Sequence, residues 1–216
     1  MAIDGLAVRL AAARARCVLG REIGRRAARA VARSTTSRWQ ERKPRLPREA
    51  TAGARLLVAA AGLAECLYEA LLEQGATEPQ ARRLTAAVAW DFYHKAAALP
   101  WLLAAAGRRG RLGRTRRALA LMMRFPYAWP GYDMRPADRG PSATGVDVYR
   151  CPVADYFAER GRLDLCQAAF CDLDYPLARR WGLRLVRPRT ISRGFDHCDF
   201  CFVEAGRQHS GRGRAA

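Results

Sequence analysis

Residues 194–202 read GFDHCDFCF, which sets Cys198 and Cys201 among Asp196, His197, Asp199 and aromatic side chains. Thiols, carboxylates and an imidazole this close suit a metal centre, a catalytic site, or a core that uses cysteine as a small apolar residue. Strand alternation separates these readings. Cys198, Phe200 and Phe202 share one face, and His197, Asp199, Cys201 and Val203 share the other. The aromatic face belongs to the core, so Cys198 points inward and Cys201 points away. Paired zinc cysteines need a tight knuckle, not an extended strand, so CDFC is a poor zinc motif. A set of Cys151, Cys171 and Cys198 with an acidic or histidine fourth ligand stays open as the metal alternative. Its spacings fit no usual zinc-finger pattern, and neither a metal nor a cofactor is expected.

A second group lies in FCDLDYP, residues 170–176, where Cys171 is followed by Asp172 and Asp174. Carboxylates beside a thiol can act as general base and as a clamp for a cationic, amidine-like group. Charged and close, they also raise the thiol's pKa. The plainer reading is an Asx-type turn before Pro176. Cys151 ends a strand-like segment and precedes Pro152, which places it near a helix N-cap. Free amide N–H groups there favour a thiolate. The alternative is a buried, inert thiol, and the two readings are even. His94, four residues after Trp90, reads as packed or surface-bound, and His209 lies in the tail.

These groups need a scaffold. The first half reads as helices over 6–33, about 54–74 with Gly75 as C-cap, a segment opened by Thr77 and Gln80 in capping-box spacing, and about 111–124. Residues 34–53 read as a polar linker with prolines, and Pro100 breaks or kinks the third helix. Residues 125–145 read as irregular. Then follow a strand at 146–151, a helix at 152–161, a helical stretch that breaks at Pro176, and strands at 183–190 and 197–204 joined through Gly194. The expected fold is α+β: a helical N-terminal half packed on a small, mostly antiparallel sheet with short helices. The expected division is an Arg-rich helix and linker (1–50), an α+β domain (51–204) and a disordered tail (205–216).

Composition bounds the function. The chain has 216 residues, half of them apolar, enough for a sizeable core. The longest apolar run, 56–72, carries Glu65 and Glu69 at helical spacing, and 96–107 is short and holds Pro100, so no membrane span is expected. The formal net charge is +18, and of 38 basic residues only Lys43 and Lys95 are lysine. Arg and Ala rise together in GC-rich bacterial genomes, and a solvated Arg-rich surface is the preferred reading. The charge is spread along the chain, and no RNA- or DNA-binding signature accompanies it, which leaves nucleic-acid binding a minor alternative. Seven cysteines without a secretory signal point to free thiols and a cytoplasmic location.

Three ordered elements carry a family resemblance. Cys151 is followed by Tyr156 and Gly161, Cys171 by Asp174, and Thr190 with Gly194 leads into Cys198, Asp199, Phe200 and Phe202. Together with 68–84 they resemble the L-2-amino-thiazoline-4-carboxylic acid hydrolase family over about residues 55–204. Cys166, Cys201 and the Arg-rich first helix stand outside the resemblance, and Arg193 occupies a position where a small residue is more usual.

The resemblance implies water addition across a cyclic amidine C=N carbon, opening the ring to a carbamoyl-cysteine. It implies a thiolate nucleophile at Cys171 or Cys151, or water activated by Asp174. Asp172 or Asp174 would bind the amidinium, and Arg187, Arg189 or Arg193 the substrate carboxylate. Cys198 would line the pocket, with Thr190 and His197 as further substrate contacts. The expected partner is a small-molecule substrate, with a homo-oligomer allowed. Two other functions remain open: a metal- or small-ligand-binding module without turnover, and an Arg-rich nucleic-acid binder.

Overall fold

In a computed structural model, the described residues are 5–106 and 110–204, with side chains described from residue 12. The expected tail at 205–216 lies outside them. The N-terminal segment is two helices rather than one, α1 (Gly5–Glu22) and α2 (Arg25–Arg42). They part at Gly24, whose φ of 81° suits glycine. Helix α2 runs on through residues 34–42, which read as linker. The hydroxyls of Thr35 and Thr36 donate to the carbonyls of Val31 and Ala32, each at 2.8 Å, and so do not compete for helical N–H groups. Ala28, Val31, Ala32, Thr35 and Trp39 form the buried face at helical spacing.

Helix α3 (Ala52–Glu73) begins at Thr51, whose hydroxyl accepts from Ala54 N–H at 3.2 Å. It ends before Gly75 at φ 85°. Thr77 opens α4 (Glu78–Ala96), but its side chain makes no cap bond, so the capping-box expectation fails in detail. Helix α5 (Ala98–Leu103) follows. Helix α4 stops at Ala96 because the ring of Pro100 would strike that residue's carbonyl, four positions back. Helix α6 (Arg111–Met122) completes the helical half.

The sheet contains β1 (Asp133–Ala137), β2 (Ala143–Arg150), β3 (Leu183–Val186) and β4 (Cys198–Glu204). Its order is β1-β2-β4-β3, antiparallel throughout, as expected for an α+β fold. Strand β1 and the start of β2 fall in a segment read as irregular. Pro136 is tolerated there because β1 is an edge strand. Between β2 and β3 lie α7 (Pro152–Ala158), α8 (Leu163–Ala169), a 3-10 turn (Cys171–Leu173) and α9 (Asp174–Arg180). The break falls at Phe170 rather than Pro176. Pro176 sits in the first turn of α9, where its missing N–H costs nothing.

Leu19, Val31, Val58, Leu71, Leu84, Phe157 and Leu165 share one core, so α1 and α2 pack into the same interior as α3, α4, α7 and α8. Val146, Leu183, Leu185 and Phe202 cover the inner sheet face against Leu119 and Ala178. Among the described residues no helix is long and apolar enough to cross a membrane.

Glu65 ties the helical layers together. Its side chain is 3% exposed and meets Arg42 at 3.0 Å, Arg162 at 3.2 Å and Arg160 at 3.6 Å. Tyr156 donates its hydroxyl to Glu65 at 2.6 Å. Removing the carboxylate leaves these guanidinium groups facing one another with no anion at the centre. We expect Glu65→Ala to lower stability by about 3–5 kcal/mol, measured by urea unfolding. A loss near that of a surface substitution would contradict this.

Candidate functional site

Strand β2 delivers Cys151 to the N-cap of α7, as the sequence suggests. Burial raises this thiol's pKa well above its ordinary value, and the amide N–H groups of Ala154 and Val153 lower it by less. Desolvation outweighs the helix terminus, so Cys151 is a neutral thiol. The Tyr132 hydroxyl is hydrogen-bonded to it, and burial pushes that phenol up as well.

Cys171 lies just after the break at Phe170. Its sulfur is hydrogen-bonded to the Cys166 thiol and is 3.3 Å from Ser192 Oγ. The Cys166 bond is the largest influence and lowers the Cys171 pKa. Burial opposes it, and Ser192 and the Arg187 charge assist it. Cys166 moves the opposite way, because it donates to Cys171 and is fully buried. One thiol of the pair therefore supports the other's anion. Cys171 is half-buried.

Asp174 sits at the start of α9 with both carboxylate oxygens engaged. Tyr93 donates to Oδ1 at 2.5 Å, and Arg187 Nη1 to Oδ2 at 2.7 Å. Burial nevertheless raises the Asp174 pKa more than Arg187 and Tyr93 lower it. Arg187 leaves β3 with its side chain 1% exposed. Its Nη2 donates to the Cys171 carbonyl at 2.8 Å. Its guanidinium lies over Phe200 at 4.7 Å and Tyr175 at 5.2 Å. Nε is buried without a hydrogen-bond partner. Burial would lower the Arg187 pKa, but the charges of Asp174 and Cys171 hold it raised.

The segment after β3 closes the group. Thr190 and Ser192 are buried, and both donate to Gln167 Oε1, at 3.5 Å and 2.6 Å. Gln167 Nε2 donates to Asp172. The amide of Ile191 donates to Cys198 Sγ at 3.3 Å, while burial pushes the Cys198 thiol up to about 11. Cys198 and Phe202 face inward and Cys201 is on the other face, as alternation requires.

Cys151, Cys171, Cys198, Asp172, Asp174, Arg187 and Thr190 thus gather around the junction of α7, α8, α9 and β4. Arg193 and Arg189 are exposed, and neither side chain joins the group. His197 stacks on Tyr149 at 5.2 Å and pairs with Asp196 at 2.7 Å, on the face away from Cys198. His94 holds the Trp90 carbonyl at 2.7 Å. Cys166, Gln167, Ser192 and Tyr93 were not among the sequence candidates. Cys166 and Gln167 lie about one helical turn before Cys171, which is a usable signal. Tyr93 arrives from α4 with no local signal at all. Among the described residues no three His, Cys, Asp or Glu side chains converge to hold a metal ion.

The arrangement sets a half-buried thiol beside a carboxylate–guanidinium pair and hydroxyl donors. The family model for L-2-amino-thiazoline-4-carboxylic acid hydrolase matches residues 58–202, well over half of the chain. The chain belongs to that family, whose name is that of a hydrolase, and its start excludes α1 and α2. No curated protein and no solved structure matches the chain.

Loss of Arg187 tests the electrostatics. Ionised Asp174 is costly to bury, so its native pKa is raised. Stability linked to a raised carboxyl is present in acid and is lost as pH rises through the native value. Arg187→Met moves that value further up. The variant should nearly match the parent near pH 4 and fall below it by up to about 4 kcal/mol at pH 7, read by denaturant unfolding across pH. A deficit independent of pH would overturn this account.

Proposed function

We propose that the chain is a cysteine-dependent hydrolase that opens a small cyclic amidine-type C–N bond, with an L-2-amino-thiazoline-4-carboxylate-like substrate. Membership of the family supports the substrate class. The observation that carries the cysteine role is Cys171, the half-buried thiol whose pKa is lowered while those of Cys151, Cys166 and Cys198 are raised.

In this reading the Cys171 sulfur attacks the ring carbon between the nitrogens and sulfur of the substrate. The ring C–N bond breaks and its nitrogen takes up a proton. Water then attacks the same carbon and expels the Cys171 thiolate, so the net change is addition of one water. Asp174 is held on both oxygens, which suits it to orient the thiol segment through Arg187 rather than to take a proton from water. Asp172, half-buried beside Gln167, is the better-placed carboxylate for the amidinium. Arg187 is committed to Asp174 and the Cys171 carbonyl, which leaves the exposed Arg189 and Arg193 as the candidates for the substrate carboxylate.

Turnover of the aminothiazoline carboxylate tests this directly. Cys171→Ser and Asp174→Asn should each lower kcat by about a hundredfold or more, with folding checked by circular dichroism. Cys201→Ser, on the far sheet face, should change it little. Normal turnover in both site variants would remove Cys171 and Asp174 from the reaction.

A further inference from the structure

Cys171 and Asp172 are sequence neighbours, yet both are linked to one side chain, Gln167: Asp172 directly and Cys171 through Ser192. Gln167 Nε2 donates to Asp172, and Gln167 Oε1 accepts from Ser192 Oγ at 2.6 Å. Ser192 Oγ lies 3.3 Å from Cys171 Sγ. A hydroxyl has one proton to give. With that proton on Gln167, the contact to Cys171 is donated by the thiol. The bonds then run in one direction: Cys171 to Ser192, Ser192 to Gln167, Gln167 to Asp172.

We propose that Gln167 and Ser192 are positioning residues whose hydrogen-bond chain couples the protonation of Cys171 to the charge at Asp172. Binding of a cationic substrate group at Asp172 reverses the chain and leaves a thiolate at Cys171. The reason is the supply of donors. When the thiol loses its proton to water, Cys166 still donates to the sulfur, and Ser192 can add its own proton only by withdrawing it from Gln167 Oε1. Ser192 then faces Gln167 Oε1 with lone pairs on both atoms, a contact that is costly away from solvent. Turning the Gln167 amide over offers Nε2 to Ser192 but sets Oε1 against the Asp172 carboxylate. That state holds only when Asp172 is protonated or neutralised by another cation. An amidinium supplies N–H groups to both Asp172 and Gln167 Oε1. A bare Asp172 therefore keeps the thiol protonated, and an occupied one releases it.

Other titratable groups also face Cys171: Cys166 from α8, Asp174 from α9, Arg187 after β3, Cys151 at α7 and Cys198 on β4. Their through-space effects do not pass through Gln167, so a double-mutant cycle separates them. The substrate-triggered half rests on the proposed reaction, whereas the coupling does not.

The test follows iodoacetamide alkylation of Cys171 in the full chain against pH, by peptide mass spectrometry and without substrate. Asp172→Asn offers either amide face to Gln167. It should lower the alkylation midpoint by about one pH unit, about tenfold faster labelling below the midpoint. In a Gln167→Leu background the same substitution should change labelling by no more than about twofold, as for independent sites. Ser192→Ala repeats the cycle at the next link and decides the matter if Gln167→Leu does not fold. Equal acceleration in both backgrounds, or none in the parent, overturns the proposal. Coupling without turnover would sink the substrate reading alone, and turnover without coupling would sink this inference alone.

Discussion

The site is organised by one buried ion pair, Asp174 with Arg187. Arg187 is enclosed between Phe200 and Tyr175 and reaches both the Asp174 carboxylate and the Cys171 carbonyl. These contacts join the end of β3 to the turn that carries the thiol. They also fix where the chain goes next, because residues 190–192 return from Arg187 to meet Gln167 and Cys171. Burying two charges is expensive, and an apolar pair of the same volume often gives a more stable protein. The unpartnered Arg187 Nε adds to that cost. Such a pair is better explained by the position it imposes on Cys171 than by stability.

The same physics explains what the sequence could show. Alternation along 198–204 was readable because one face is aromatic, and it placed Cys198 inward and Cys201 outward. Cys171 and Asp174 stood out by type and spacing. Arg187, by contrast, stood out in the sequence only as a guanidinium suited to a substrate carboxylate. Its burial depends on Phe200 and Tyr175, which no local pattern connects to it. The helix through Trp39 was hidden because its threonines satisfy their hydroxyls on their own helix, a choice that composition does not reveal. Tyr93, 81 positions before Asp174, belongs to the same class of tertiary contact.

The basic charge divides in the same way. Several arginines are structural partners of acids: Arg14 with Asp91, Arg83 with Glu22, Arg139 with Asp147, and Arg42 with Glu65 and Glu69. Exposed pairs of this kind contribute little to stability. The Glu65 cluster differs because its carboxylate is buried and draws arginines from α2 and from the α7–α8 turn. It joins the N-terminal helices to the family-matched region, although the match itself begins only at residue 58. The surplus of arginine over acid accounts for the net charge of +18.

Four thiols around one junction pose a selectivity problem, since any of them that ionised could compete as nucleophile. Burial solves it for Cys151, Cys166 and Cys198, each of which would lose its hydration on becoming an anion. Cys171 is half-buried, as is Cys151, so exposure alone does not single it out. What differs is its donors. The Cys166 thiol, the Ser192 hydroxyl and the nearby guanidinium all favour its anion, and only Asp174 and desolvation oppose it. Cys151 has the helix N-terminus instead, and amide N–H groups without a neighbouring cation do not overcome its desolvation. The lowered Cys171 pKa is therefore set by the side chains that α8 and the 190–192 turn bring to the sulfur. A cysteine moved one turn along the same scaffold would keep the burial and lose these neighbours.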